Sequence, residues 1–220
     1  MICLVTDRAR LSAGSDAVDR LVELAGAAAR ARIDILQIRE RDLDARTLTG
    51  VVRRCRAAVA RMGTRIVVND RVDVAIAAGA DGVHLRGDSF SAARARALIG
   101  ERAVVGRSVH SVEDAETVSR AGGIDYLIFG TMHHTPSKSP AHPVATLDDL
   151  RGACRAAAGI PVLAIGGMTI ERAAHAARAG AAGIAGIGVF VPPEGQSVDR
   201  HLQTVVGELR RTFDTCQAVS

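Results

Sequence analysis

The chain has 220 residues, enough for one large domain or two small ones; 48% are apolar and 24% charged, the balance of a globular protein with a sizeable core. Aromatics make up only 2%, with no Trp, which argues against base stacking on single-stranded nucleic acid and leaves the core to Val, Ile, Leu and Ala. The net charge of +4 comes from arginines scattered over several helical segments, which suits small anionic substrates better than a nucleic-acid face.

The chain opens "MICLVTD", a strand pattern and not a charged leader with a long apolar region. No apolar run approaches the roughly 18 residues of a membrane span, so a cytoplasmic protein with no membrane partner is expected. Cys3, Cys55, Cys154 and Cys216 form no CxxC pair and are read as reduced thiols. Further candidate strands follow in order: "IDILQIR", "RIVVND", "GVHLR", "AVVGRSVH", "DYLIFGT", "PVLAIGG" and "GIAGIGVF". Between them run helix-period stretches such as "DAVDRLVELAGAAARA" and "TIERAAHAARAG", with Asp44, Ser111 and Thr169 as N-caps. Eight strands, each followed by a helix, predict an α/β fold: a single-domain (β/α)8 TIM barrel over residues 1–220. A doubly wound sheet is second choice, because no Gly-rich dinucleotide loop follows the first strand.

In such barrels the chemistry sits where strands end and βα loops begin. Gln37, Arg39 and Arg41 lie two apart, so an extended chain puts them on one face, suited to a diphosphate or a dicarboxylate. The plainer alternative is a solvated strand end paired with Asp42 or Asp44. The third strand ends in Asn69 and Asp70, of which at most one points into the barrel. Asp70 suits a hard cation such as Mg2+ or a helix cap. In "RGDSF", Asp88 is a candidate second carboxylate and Ser89 a candidate cap. Ser108 and His110 share one face of the fifth strand, with His110 either a general acid or base or a satisfied structural histidine.

The stretch Gly130–Pro143 has loop composition. Its His133, His134 and His142 match no standard zinc spacing. Of the 28 basic residues, Lys138 in "TPSK" is the only lysine, which marks either a site wanting a compact ammonium or chance. Glycines end the seventh and eighth strands at Gly166, Gly167, Gly186 and Gly188. They allow close approach of a phosphate to backbone amides, or simply tight turns.

Taken together and in order, "QIRER", "VVNDRVDVAIAAGADGVHL", "GRSVHS", "FGT…TPSK" and "AIGGMT" resemble the thiamine-phosphate synthase/TenI family over nearly the whole chain. The resemblance implies a transferase that joins hydroxymethylpyrimidine diphosphate to a thiazole phosphate with Mg2+ and releases diphosphate. It implies Arg39, Lys138 and His110 as catalytic residues, and Gln37, Arg39, Arg41, Asn69, Ser108 and Lys138 around the pyrimidine diphosphate. Thr135, Ser137, Gly167, Ile187 and Gly188 would hold the thiazole phosphate, and Asp70 and Asp88 the metal. Both partners would be phosphorylated small molecules, and assembly into homo-oligomers is left open.

This chain departs from the synthase pattern in carrying Ser89 where a second metal aspartate is usual, Arg41 for lysine and Gly188 for serine. The runs "RGDSF", "GRSVHS" and "IGGMT" are instead similar to the TenI branch, which tautomerises the thiazole phosphate carboxylate with a histidine at the place of His110. A third alternative is a barrel that binds a thiamine precursor without turning it over.

Overall fold

A computed structural model describes residues 1–12, 14, 16–135 and 143–217, with the backbone alone for Gln217. Among these residues eight parallel strands close into a barrel in chain order, β1 (Ile2–Val5), β2 (Ile35–Ile38), β3 (Arg65–Asn69), β4 (Gly82–Leu85), β5 (Val104–Val109), β6 (Tyr126–Phe129), β7 (Val162–Ala164) and β8 (Gly183–Gly186). β1 pairs with β8 to complete the ring. Eight α-helices surround it: α1 (Ala17–Arg30), α2 (Ala45–Val59), α3 (Val72–Ala78), α4 (Ala92–Ile99), α5 (Val112–Ala121), α6 (Leu147–Ala156), α7 (Ile170–Arg178) and α8 (Val198–Gln217). No helix among the described residues is long and apolar enough to cross a membrane.

The strands are short apolar runs because both their faces are covered, one by helices and one by the opposite wall of the barrel. Cys3, Val5, Ile35, Val67, Tyr126, Ile128, Leu163 and Ala185 fill the interior as a cluster of their own. The alternate residues join the larger core beneath the helices. α2 shows how the sequence supplies that core: Leu48, Val51, Val52, Cys55 and Val59 recur at helical spacing and are all buried. Burying each such aliphatic side chain contributes about 1.5–3 kcal/mol. Asp44, Ser91, Ser111, Thr146 and Thr169 cap α2, α4, α5, α6 and α7 through side-chain oxygens, each cap worth about 1 kcal/mol. Ser91, not Ser89, is therefore the cap of α4.

A repeated aspartate stitches the face opposite the loops that follow the strands. Asp34, Asp81 and Asp125 each precede an even-numbered strand and accept the backbone N–H of Ile2, Ile66 and Val105 on the strand before it, each at 2.7 Å. At the equivalent place before β8 the chain has Ala182.

One interior column is polar. His84 on β4 places Nε2 2.9 Å from the Ser108 hydroxyl and Nδ1 3.1 Å from the Tyr126 hydroxyl. Burial holds His84 neutral, lowering its pKa to about 3. Gly106 makes room for this column, since a Cβ there would lie 2.1 Å from the Tyr126 ring.

Candidate active site

At the carboxyl ends of the strands the barrel opens into a cavity of about 1000 Å³. Val5, Ile128, Ile165 and Ile187 give it an apolar floor. In a ring of eight strands in chain order, β3 faces β7, so the loops after β2–β4 and those after β7–β8 form opposite walls. The first wall carries Gln37, Arg39, Arg41, Asn69, Arg86 and Asp88; the second carries Gly166, Gly167, Gly186, Ile187 and Gly188. Ser108, His110 and Thr135 also line the space. Ser137, Lys138 and His142 fall in 136–142, outside the described residues.

The exit from β2 differs from a simple extended strand. β2 stops at Ile38, and Arg39 and Arg41 stand on the loop beyond it. The turn is set by Glu40, which is buried and accepts hydrogen bonds from the Thr6 hydroxyl at 2.6 Å and Arg8 Nη1 at 3.0 Å. Thr6 Oγ1 in turn accepts the Arg39 backbone N–H at 2.9 Å. The loop is thus tied to β1, and both arginines still reach the cavity. Asp42, the partner considered for them, pairs with Arg8 instead. Among the described residues no ion pair engages Arg39 or Arg41. Burial, followed by the positive charge of Arg41, depresses the Arg39 pKa, and Arg86 adds to this. Asp7 and Glu40 oppose the shift without forming an ion pair with Arg39.

Gln37 is almost fully buried. Its Nε2 donates to Asn69 Oδ1 at 3.0 Å, while Oε1 has no partner. A buried amide oxygen left unpaired costs about 1–3 kcal/mol, so this one is poised to accept from a bound donor.

Asn69 lines both the main cavity and a smaller neighbouring one of about 230 Å³, whereas Asp70 lines only the smaller. Asp70 has left-handed backbone (φ 60°). Its Oδ1 accepts from the Ser89 hydroxyl, and its Oδ2 faces Arg86 Nη1 at 3.8 Å. Asp88 pairs with Arg86 Nη2 at 2.6 Å. The expected Mg2+ pair therefore shares one guanidinium, and no group of three or more His, Cys, Asp or Glu suited to a metal occurs among the described residues. A divalent ion between these carboxylates would meet a fixed positive charge, so the residues present do not fit Mg2+.

Across the cavity, Gly167 (φ 60°) lies where a Cβ would come 3.0 Å from His133 Cβ and 3.1 Å from Arg172 Nη1, so only glycine suits that turn. Gly188 is different: a Cβ there would sit at an ordinary 3.6 Å from Arg10 Nη1. Arg10 also lines the cavity, giving this wall a cation of its own. His110 Nδ1 lies 2.6 Å from the carbonyl oxygen of Gly130.

Arg86, Arg107 and Arg10 escaped the reading of strand ends. Arg86 opens the run "RGDSF", whose carboxylate and hydroxyl are the stronger local signals of a site. Arg107 falls on the non-interior face by alternation, yet its guanidinium donates to the carbonyls of Gly87, Ser89 and Phe90 at 2.8–2.9 Å. Only the rarity of a charge inside a strand could have marked it.

The thiamine monophosphate synthase (TMP-TENI) family model matches residues 2–190. The chain belongs to this family. The thiamine-phosphate synthase of Roseiflexus castenholzii is 35% identical over 209 residues, covering 94% of this chain and 89% of its own. That of Natronomonas pharaonis is 41% identical over 161 residues, 72% of this chain and 74% of its own. Among solved structures, the thiamine phosphate pyrophosphorylase of Pyrococcus furiosus superposes with a TM-score of 0.78 at 28% identity, covering 98% of this chain and 96% of that one.

Proposed function

We propose that the protein is a thiamine-phosphate synthase, a transferase that couples hydroxymethylpyrimidine diphosphate to a thiazole phosphate. The observation that carries this reading is the pair Arg39 and Arg41, cationic and free of ion pairs among the described residues, facing a glycine-lined wall across one cavity. Two anion-binding walls suit two phosphorylated substrates laid end to end.

The chemistry follows from that placement. Breaking the pyrimidinylmethyl C–O bond sends its electron pair to diphosphate and leaves a benzylic-type cation. Charge grows on the leaving oxygens in the transition state, where fixed guanidinium groups stabilise it without reorganising. The unpartnered Gln37 oxygen accepts from the pyrimidine amino group and holds the ring over the apolar floor. The thiazole nitrogen, anchored through its phosphate at Gly167, Gly188 and Arg10, then forms the C–N bond. No enzyme nucleophile is needed, because proximity supplies the second step.

A coupling assay on the purified protein tests this, with hydroxymethylpyrimidine diphosphate and each thiazole phosphate tautomer in separate reactions. Formation of thiamine phosphate is expected, with one diphosphate and, from these carboxylate tautomers, one carbon dioxide released per turnover. No product from either tautomer would refute it.

One observation favours a second reading, thiazole tautomerase. A carbonyl oxygen can only accept, so His110 Nδ1 donates to Gly130, and Nε2 is left beside Gly87 at the cavity wall. An imidazole held in this way has one ring nitrogen placed for proton transfer. Interconversion of the two tautomers without pyrimidine substrate would support it.

A further inference from the structure

Arg86 stands at the junction of the two cavities and lines both. Its guanidinium is held from two sides, by Asp88 at 2.6 Å and by Asp70 at 3.8 Å. Its backbone is held as well. The Ser89 hydroxyl lies 3.0 Å from the Arg86 N–H and also bonds Asp70, while Arg107 clamps Gly87, Ser89 and Phe90 by their carbonyls. A side chain fixed in this way presents its charge without first losing much rotamer freedom. The Arg86 charge also reaches Arg39, which together with Arg41 gives three guanidinium groups on one wall, beside the unpartnered Gln37 oxygen.

We infer that Arg86 is the resident cation for the diphosphate in this protein, taking the place that Asp70 and Asp88 would otherwise give to Mg2+. Both carboxylates then serve as anchors for the guanidinium and not as metal ligands. A planar fork with donors to spare matches diphosphate oxygens, whereas a hydrated Mg2+ would have to displace Arg86 from both aspartates. The inference rests on the synthase reading of the site, and it makes diphosphate binding and coupling independent of divalent metal.

Calorimetric titration of the full chain with inorganic diphosphate, in EDTA and in Mg2+, tests it, with Arg86→Ala and Arg86→Lys alongside. Wild type is expected to bind in EDTA, with an affinity within about threefold of that in Mg2+. Arg86→Ala is expected to lose on the order of tenfold to a hundredfold in EDTA, the range for a hydrogen bond to a charged group. Arg86→Lys should recover part of that loss. Coupling by wild type should survive EDTA, and thermal melts of the half-exposed variants verify that each is folded. Wild-type binding that needs Mg2+, or an Arg86→Ala variant that binds like wild type in EDTA, would overturn the inference while leaving the synthase reading intact. Absence of diphosphate binding in both buffers would remove the synthase reading together with it.

Discussion

The Nδ1 atom of His110 lies 2.6 Å from the carbonyl oxygen of Gly130, which makes Nδ1 a donor and leaves Nε2 beside Gly87 at the cavity wall. A proton carrier so oriented contributes roughly 10²–10⁴-fold to a step that it serves. Replacing His110 with Ala should therefore abolish any tautomer interconversion, while inorganic diphosphate, held by the arginines, should keep its affinity within about threefold. Proton exchange on the thiazole phosphate, followed by NMR in D2O, separates the two. Exchange that persists in His110→Ala would remove this residue from the chemistry.

In the proposed coupling Arg39 faces charge that grows during the reaction, so its loss should fall on kcat more than on KM. A drop in kcat/KM on the order of tenfold to a hundredfold is expected for Arg39→Ala. Arg39→Lys should regain only part of it, because a point charge cannot replace a planar fork. Steady-state kinetics decide, and a pure KM effect would recast Arg39 as a ground-state binding group.

The glycines of the opposite wall should respond in opposite directions. Gly167→Ala puts a Cβ on left-handed backbone and against His133 and Arg172, so KM for the thiazole phosphate should rise and stability fall by about 1–2 kcal/mol. Gly188→Ser has room beside Arg10 and adds a hydroxyl donor, so the same KM should fall or hold. Equal damage from both would mean that this corner does not hold the phosphate.

The buried His84 gives the protein an acid-sensitive stability. The unfolded chain takes up this proton near pH 6.5, the folded chain only near pH 3. Between those values the unfolded state binds more protons, so stability declines as pH falls, by up to about 1.4 kcal/mol per pH unit. Urea midpoints at pH 7, 6 and 5 should fall in wild type and fall less steeply in His84→Gln. Parallel slopes would assign the titration to another group.

The barrel was legible because its strands and helices are written in local patterns: apolar runs covered on both faces, helical stripes such as Leu48–Val59, and caps such as Asp44 and Thr169. The inward faces were legible for the same reason at Gln37 and Ser108, whereas alternation left open which of Asn69 and Asp70 points inward. What failed were contacts between residues far apart in sequence. Alternation was extended through Arg39 and Arg41, but the strand ends where Glu40 bonds Thr6 and Arg8. Ser89 reads locally as a cap, and only the fold brings it to Asp70 across 19 residues. The pairing of Arg86 with Asp70 likewise joins residues 16 apart in sequence.

The clamp by Arg107 has a practical consequence for anyone redesigning the enzyme. The segment Gly87–Phe90 takes its shape from a side chain on β5, not from its own sequence alone. Transplanting that segment from a relative would deliver the letters without the mould. A graft should carry the donor's residue at position 107 with it, and libraries that vary 86–90 while keeping Arg107 will sample only conformations this one guanidinium can grip.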